Sequence, residues 1–222
     1  MRFDLLTPFP EMVEGVLNTS ITGRAADAGY IEFHARDIRD YTDDPHRRVD
    51  DTPYGGGSGM VMQAEPVYRC IQSVPRVGTS RVVYMSPKGR VLTQSKAREL
   101  SRLDQLIILC GHYEGIDQRV LDECVDEEIS IGDYVLTGGE LPACVLVDCV
   151  SRMIDGVLAE EASYTDESLY AGLLEYPHYT RPPAWHGMEV PEVLKNGDHA
   201  KIDEWRYRQS LSETRKKRPD LI

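Results

Sequence analysis

An α/β domain built on a largely parallel sheet, followed by a small helical C-terminal domain, is the architecture to expect from these 222 residues. Three observations lead there. Short apolar, β-branched runs alternate with helix-patterned segments through the first two thirds of the chain. Three glycine-bearing turns directly follow such runs. After residue 158 the composition turns acidic and polar, and it then resumes as helix with a basic end. The expected divisions are therefore residues 1–158, a flexible linker at 159–175, and a helical domain at 176–222.

Residues 2–6 and 30–37 read as strands, with an amphipathic helix near Glu11–Leu17 between them. Residues 38–59 mix acids and arginines and end in glycines, which predicts a long mobile loop. Arg81–Met85 is a β-branched run that should stop at the turn composition Ser86-Pro87-Lys88-Gly89. Thr93 is placed to cap a helix through Leu103. The apolar strand Leu106–Cys110 ends at Gly111. A helix over Ile116–Cys124 and a strand around Glu128–Ile131 follow. Leu141–Ile154 is apolar over most of its length, and Pro142 suits a first helical turn. Beyond the linker, Val190–Leu194 and Asp198–Leu211 pattern as helices. Ile202, Trp205 and Leu211 would lie on the buried face, with Arg206 and Arg208 outside it.

Composition narrows the function. With 41% hydrophobic and 28% charged residues the chain is of ordinary globular type, and no apolar run is long enough to span a bilayer. The N-terminus does not read as a signal peptide, so a cytoplasmic location without a membrane partner is expected. The five cysteines form no C-x-x-C pair, which argues against a zinc site or a disulfide framework. A net charge of −12 opposes nucleic-acid binding, yet residues 201–222 hold seven Lys or Arg against four Asp or Glu, a local +3 that leaves −15 on the rest. A basic tail on an acidic body can still bind RNA.

The turns Tyr84–Gly89, Gly111–Gly115 and Ile131–Glu140 each follow a predicted strand. Ligands of open parallel sheets gather at the carboxyl ends of strands, and glycines there allow backbone groups to approach closely. Three such turns on one edge would form a cleft. No G-x-x-x-x-G-K-[S/T] or G-x-G-x-x-G occurs, and the run Gly55–Gly59 lacks the lysine and following hydroxyl residue of a phosphate loop.

Four segments carry a resemblance over essentially the whole length. They are Asp50–Met60 (DDTPYGGGSGM), Gly111–Arg119 (GHYEGIDQR), Ser130–Pro142 (SIGDYVLTGGELP) and Tyr176–Pro182 (YPHYTRP). In this order they resemble the bacterial-type tRNA (guanine-N1)-methyltransferases of the SPOUT superfamily. The resemblance implies a SPOUT-type domain over 1–158 with a deep trefoil knot threaded near 111–142, an obligate homodimer with shared sites, and a tRNA-binding domain at 176–222. The implied activity is methyl transfer from S-adenosyl-L-methionine to N1 of guanosine 37, beside the anticodon, in tRNA and not DNA. A response to magnesium comes with the family, although no carboxylate cluster here marks a metal site.

Residue by residue, the resemblance puts the cofactor on Tyr84, Ser86 and Pro87, on Gly111, Tyr113, Glu114 and Gly115, on Ile131, Gly132, Asp133, Tyr134, Val135 and Leu136, and on Gly138, Gly139 and Pro142. N1 of guanine holds its proton at neutral pH, so the reaction needs a base, and positive charge near O6 as that proton leaves. Arg152 matches the family's arginine for the second role. The family's base is usually an aspartate before a serine; the matching residue is Glu167 before Ser168, with Asp166 as the alternative. RNA contacts fall to Gly55, Gly56 and Ser58 and to Lys201, Arg206, Arg208 and Arg215. Ser58 stands where the family often has proline, and Ala171 where an acid is common.

Overall fold

A computed structural model describes residues 1–158, 168–169 and 172–222. The chain divides into two compact units, Met1–Ala159 and Glu160–Ile222.

The first unit is built on five strands: β1 (Arg2–Thr7), β2 (Glu32–Asp37), β5 (Ser80–Val91), β6 (Gln105–Cys110) and β7 (Glu127–Ser130). They lie in the order β2-β1-β6-β5-β7 and every pairing is parallel. The expected parallel α/β sheet is therefore present. Both of its faces are covered, as parallel sheets require. On one face Phe3, Leu5, Val83, Leu106 and Ile108 pack under helices α1 (Pro10–Leu17), α4 (Gln94–Leu100) and α6 (Glu140–Ser151). On the other, Leu6, Val82, Ile107 and Leu109 meet helices α3 (Ala64–Gln72) and α5 (Gln118–Cys124). Alternate residues of β6 thus serve opposite layers, and all six are buried. This explains why its sequence reads as a continuous apolar run.

Local chemistry sets the helix ends. Thr93 caps α4 by accepting from the Lys96 N–H at 3.2 Å, but the helix stops at Leu100 and not Leu103. Asp117 caps α5, accepting from the Arg119 N–H at 3.0 Å. Helix α2 (Ser20–Asp27) has no counterpart in the sequence pattern. Nor has α3, whose Pro66 sits in its first turn, where a missing N–H costs nothing.

Two expectations are corrected. The run at 81–85 does not end at Ser86. The strand β5 continues to Val91, and Met85 and Arg90 both lie opposite Ile129, so the turn residues Ser86–Gly89 bulge out between them. Residues 38–59 are not one irregular loop. They hold a 3-10 turn (Ile38–Tyr41) and strand β3 (Asp50–Asp51), which pairs antiparallel with β4 (Val61–Met62).

The second unit contains a short hairpin, β8 (Ala184–Trp185) and β9 (Met188–Glu189), and a 3-10 turn at Glu192–Leu194 in place of the expected helix. Its main helix, α7 (His199–Lys217), is capped by Asp198 and runs six residues beyond the expected Leu211. Ile202 is buried, Trp205 and Leu211 are partly buried, and Arg206 and Arg208 are exposed, as the pattern implies. Trp205 faces the rings of Tyr176 and Tyr179, and Thr214 accepts from the Leu174 N–H at 2.9 Å while donating to the Ser210 carbonyl.

Candidate functional site

Because all five strands run the same way, the carboxyl ends of β1, β6 and β7 and the bulge in β5 lie along one edge of the sheet. A cleft of about 190 Å³ opens there. Its walls come from the three glycine turns: Tyr84 to Pro87, Gly111 to Gly115, and Ile129 to Gly139 without Asp133, with Pro142 from the first turn of α6. The turns hold one another. Gly139 N–H donates to the Gly111 carbonyl at 2.8 Å, and His112 and Gly138 form an isolated bridge. Ser130 Oγ both donates to the Gly132 carbonyl and accepts from the Gly132 N–H.

Two glycines are required by geometry. Gly132 has φ +151°, and a Cβ on it would stand 2.4 Å from the Tyr134 ring. At Gly139 a Cβ would come 2.8 Å from the Cys110 Cα, so only glycine lets the start of α6 cross the end of β6.

The lining is aromatic and aliphatic with backbone polar groups between. Tyr84 lies under the floor, and burial, reinforced by the nearby Glu128 charge, pushes its phenol up to about 12. The Tyr113 phenol is raised as well, by burial first and then by the Asp50 carboxylate, with Arg39 opposing. Among the described residues, no lysine or arginine lines the cleft. Such a site suits a flat heteroaromatic ring and a ribose held by backbone groups, and it lacks the cations a polyphosphate needs. Glu114 is the acid at its edge, and it suits a ligand bearing positive charge. The adenosyl group and cationic sulfonium of S-adenosylmethionine fit this donor set.

The structure thus brings together all the expected cofactor residues except Asp133, whose exposed side chain does not line the cleft. Five lining residues lie outside the expected set: Met85, His112, Ile129, Ser130 and Thr137. Met85, His112, Ser130 and Thr137 each adjoin a predicted residue, and Ile129 lies two before Ile131, so turn spacing alone could have included them. Arg152 is elsewhere. It sits at the C-terminal cap of α6, ten residues and roughly 15 Å along the axis from Pro142. There it lines a groove with Val16, Leu17, Cys144, Val145 and Asp148. Asp166 and Glu167 lie outside the described residues.

The RNA candidates fall in two places. Gly55, Gly56 and Ser58 are exposed in the loop joining β3 to β4, and that loop adjoins the second glycine turn through the Glu114 N–H, which donates to the Met60 carbonyl. Lys201, Arg206, Arg208 and Arg215 all lie on α7. The first three have acidic partners on the helix or its cap: Asp198, Asp203 and Glu204. Arg206 also covers the Tyr176 ring at 5.0 Å. Arg215 borders a shallow groove with Arg208, Leu211, Ser212 and Lys216.

Comparison with known proteins gives the family. A family model described as tRNA (Guanine-1)-methyltransferase TrmD matches residues 1–222. A protein named tRNA (guanine-N(1)-)-methyltransferase from Ruminiclostridium cellulolyticum is 57% identical over 224 residues, covering 100% of this chain and 96% of its own length. Proteins with the same name from Alkaliphilus metalliredigens and Clostridioides difficile are 54% and 50% identical. Each covers 100% of this chain, with 92% and 97% of their own lengths matched.

Proposed function

This chain belongs to the tRNA (guanine-1)-methyltransferase family, and we propose that its cleft binds S-adenosyl-L-methionine for methyl transfer to N1 of guanosine 37 of tRNA. The protein is an S-adenosylmethionine-dependent tRNA (guanine-N1)-methyltransferase. One observation carries the assignment of the cleft: three glycine turns meet at one sheet edge and line it without a lysine or arginine. The cofactor supplies an electrophilic methyl group. The chain's own residues then have three tasks: to hold the adenosyl moiety on backbone groups, to take the N1 proton, and to balance the charge that grows on O6.

Glu167, with Asp166 as the alternative, is proposed to take the proton, and Arg152 to face O6. Arg152 is too far along α6 to serve the cleft of its own chain. We therefore propose a homodimer in which a second copy completes each site. The apolar strip that would be covered includes Met12, Val16, Leu141 and Val145, each about half exposed. The walls formed by Tyr134, Val135 and Leu136 are also open in the single chain. The second unit is proposed to hold RNA, the 55–58 loop of the first unit is separately proposed to contact it, and the segment 111–142 is proposed to be the threaded part of a trefoil knot. No helix among the described residues is long and apolar enough to cross a membrane. A cytoplasmic site of action is part of the proposal, in keeping with the free cysteines.

Calorimetry with S-adenosylmethionine and with ATP tests the cleft: binding of the first alone is expected. Methyl transfer to tRNA transcripts with guanosine or adenosine at position 37 tests the substrate, and a labelled methyl on the adenosine transcript would overturn the reading. Repeating the assay with a chelator tests the proposed magnesium response.

A further inference from the structure

Glu140 is the first residue of α6, and it is 1% exposed although it carries a carboxylate. Its Oε1 accepts from the Thr7 hydroxyl at 2.7 Å, and that hydroxyl in turn accepts from the Phe9 N–H. Its Oε2 lies 3.7 Å from His112 Nδ1, which is buried without a hydrogen-bond partner among the described residues. The imidazole itself is fixed between rings, 4.8 Å from Phe9 and 5.2 Å from Tyr113, and His112 lines the cleft. Between carboxylate and imidazole stands Gly138. A Cβ there would be 2.2 Å from Oε2 and 2.5 Å from Nδ1, so this glycine keeps the line between the two groups open.

We propose that Glu140 is a positioning residue for the cofactor cleft, acting through His112. A buried carboxylate is acceptor-only, and it has one donor in Thr7 and the N-terminal end of α6 beside it. A second donor is needed on its other oxygen, and Nδ1–H is the group that faces it. Glu140 therefore selects the Nδ1–H tautomer of His112 and leaves Nε2 as an acceptor. The same carboxylate ties the end of β1, through Thr7, to the turn after β6, through His112. It joins a cleft-forming turn to the end of the neighbouring strand β1, and Glu140 itself is not among the lining residues. The effect on affinity rests on the cofactor reading given above; the tautomer does not.

The test uses the full-length protein carrying ¹⁵N-labelled histidine at pH 8, with His112→Asn identifying the His112 resonances. In the unliganded wild type, His112 is expected to be protonated at Nδ1. In Glu140→Gln, whose amide keeps the size of the side chain and can still accept from Thr7, the tautomers should mix. S-adenosylmethionine should bind Glu140→Gln about tenfold more weakly, the low end of what losing an outer-layer partner costs at metal sites. Thr7→Val should weaken binding while leaving the tautomer unchanged. A wild-type His112 protonated at Nε2 overturns the proposal, with no variant needed. So does an unaltered tautomer in Glu140→Gln, which would mean that the carboxylate only braces Thr7. If the wild type shows the Nδ1–H tautomer but does not bind S-adenosylmethionine, the cofactor reading fails and the positioning role stands.

Discussion

Individual side chains make the sharpest claims. Burial pushes the thiols of Cys70 and Cys144 up to about 12 and about 11, and that of Cys110 well above its ordinary range. Thiolates are the reactive form. A thiol reagent at pH 8 should therefore spare these three in the native protein, while denaturant releases all five cysteines for counting. Gly132→Val should abolish measurable S-adenosylmethionine binding with the far-ultraviolet spectrum unchanged, because the new side chain meets Tyr134 and strains one turn only. Arg152→Ala should slow the chemical step by about 100-fold or more, the scale of losing one donor to a developing oxyanion. Glu167→Gln should do likewise, with Asp166→Asn mild, measured in single turnovers at saturating tRNA. A severe defect in Asp166→Asn and a mild one in Glu167→Gln would move the base by one residue. The glycines of the cleft are legible because their turns follow apolar runs. The exclusion of Asp133 is not, since spacing along a turn does not say which side chains point inward. The Glu140–His112 pairing is hidden for another reason, as 28 residues separate partners that only the sheet brings together.

Among the elements, α7 revises its own sequence reading. Lys201, Arg206, Arg208 and Lys217 each pair with an acid three or four residues earlier. Exposed pairs of this kind are weak, but they lower the charge offered to phosphates. Among the described residues, Arg215 and Lys216 have no ion pair. They should carry most of the electrostatic attraction between this helix and RNA. Arg215→Ala with Lys216→Ala should weaken tRNA binding and lessen its logarithmic salt slope by about 2, near 0.9 for each phosphate left without its cation. Arg206→Ala should change RNA affinity less but loosen the packing at Tyr176, read as a lower melting temperature. An equal salt-slope change from both would sink this ranking. Element type is legible wherever period and capping agree, as at Thr93 and β6. The short strands β3 and β4 are not, since two residues set no period. The bulge in β5 reads as an end because Ser86-Pro87-Lys88-Gly89 has turn chemistry whether or not a strand resumes after it.

For the molecule as a whole, sedimentation should give about twice 25.1 kDa at any working concentration, as the proposed homodimer would cover the half-exposed strip on α1 and α6. Mixing Arg152→Ala subunits with Glu167→Gln subunits should restore part of the activity, since one of the two sites would then draw intact residues from different chains. An active monomer would end the shared-site proposal. The α/β class is legible from alternation alone, whereas the proposed second copy follows from no local pattern.

The register of β1 bears on how the chain is made. Arg2 pairs with Glu32 on one side and with Gln105 on the other. During synthesis the first partner arrives early, but the second leaves the ribosome about 70 residues later, several seconds at usual elongation rates. Through that interval β1 keeps one edge unpaired and its apolar face uncovered by α6. A nascent chain arrested before residue 105 should be bound by chaperones, and one extended past residue 151 released from them.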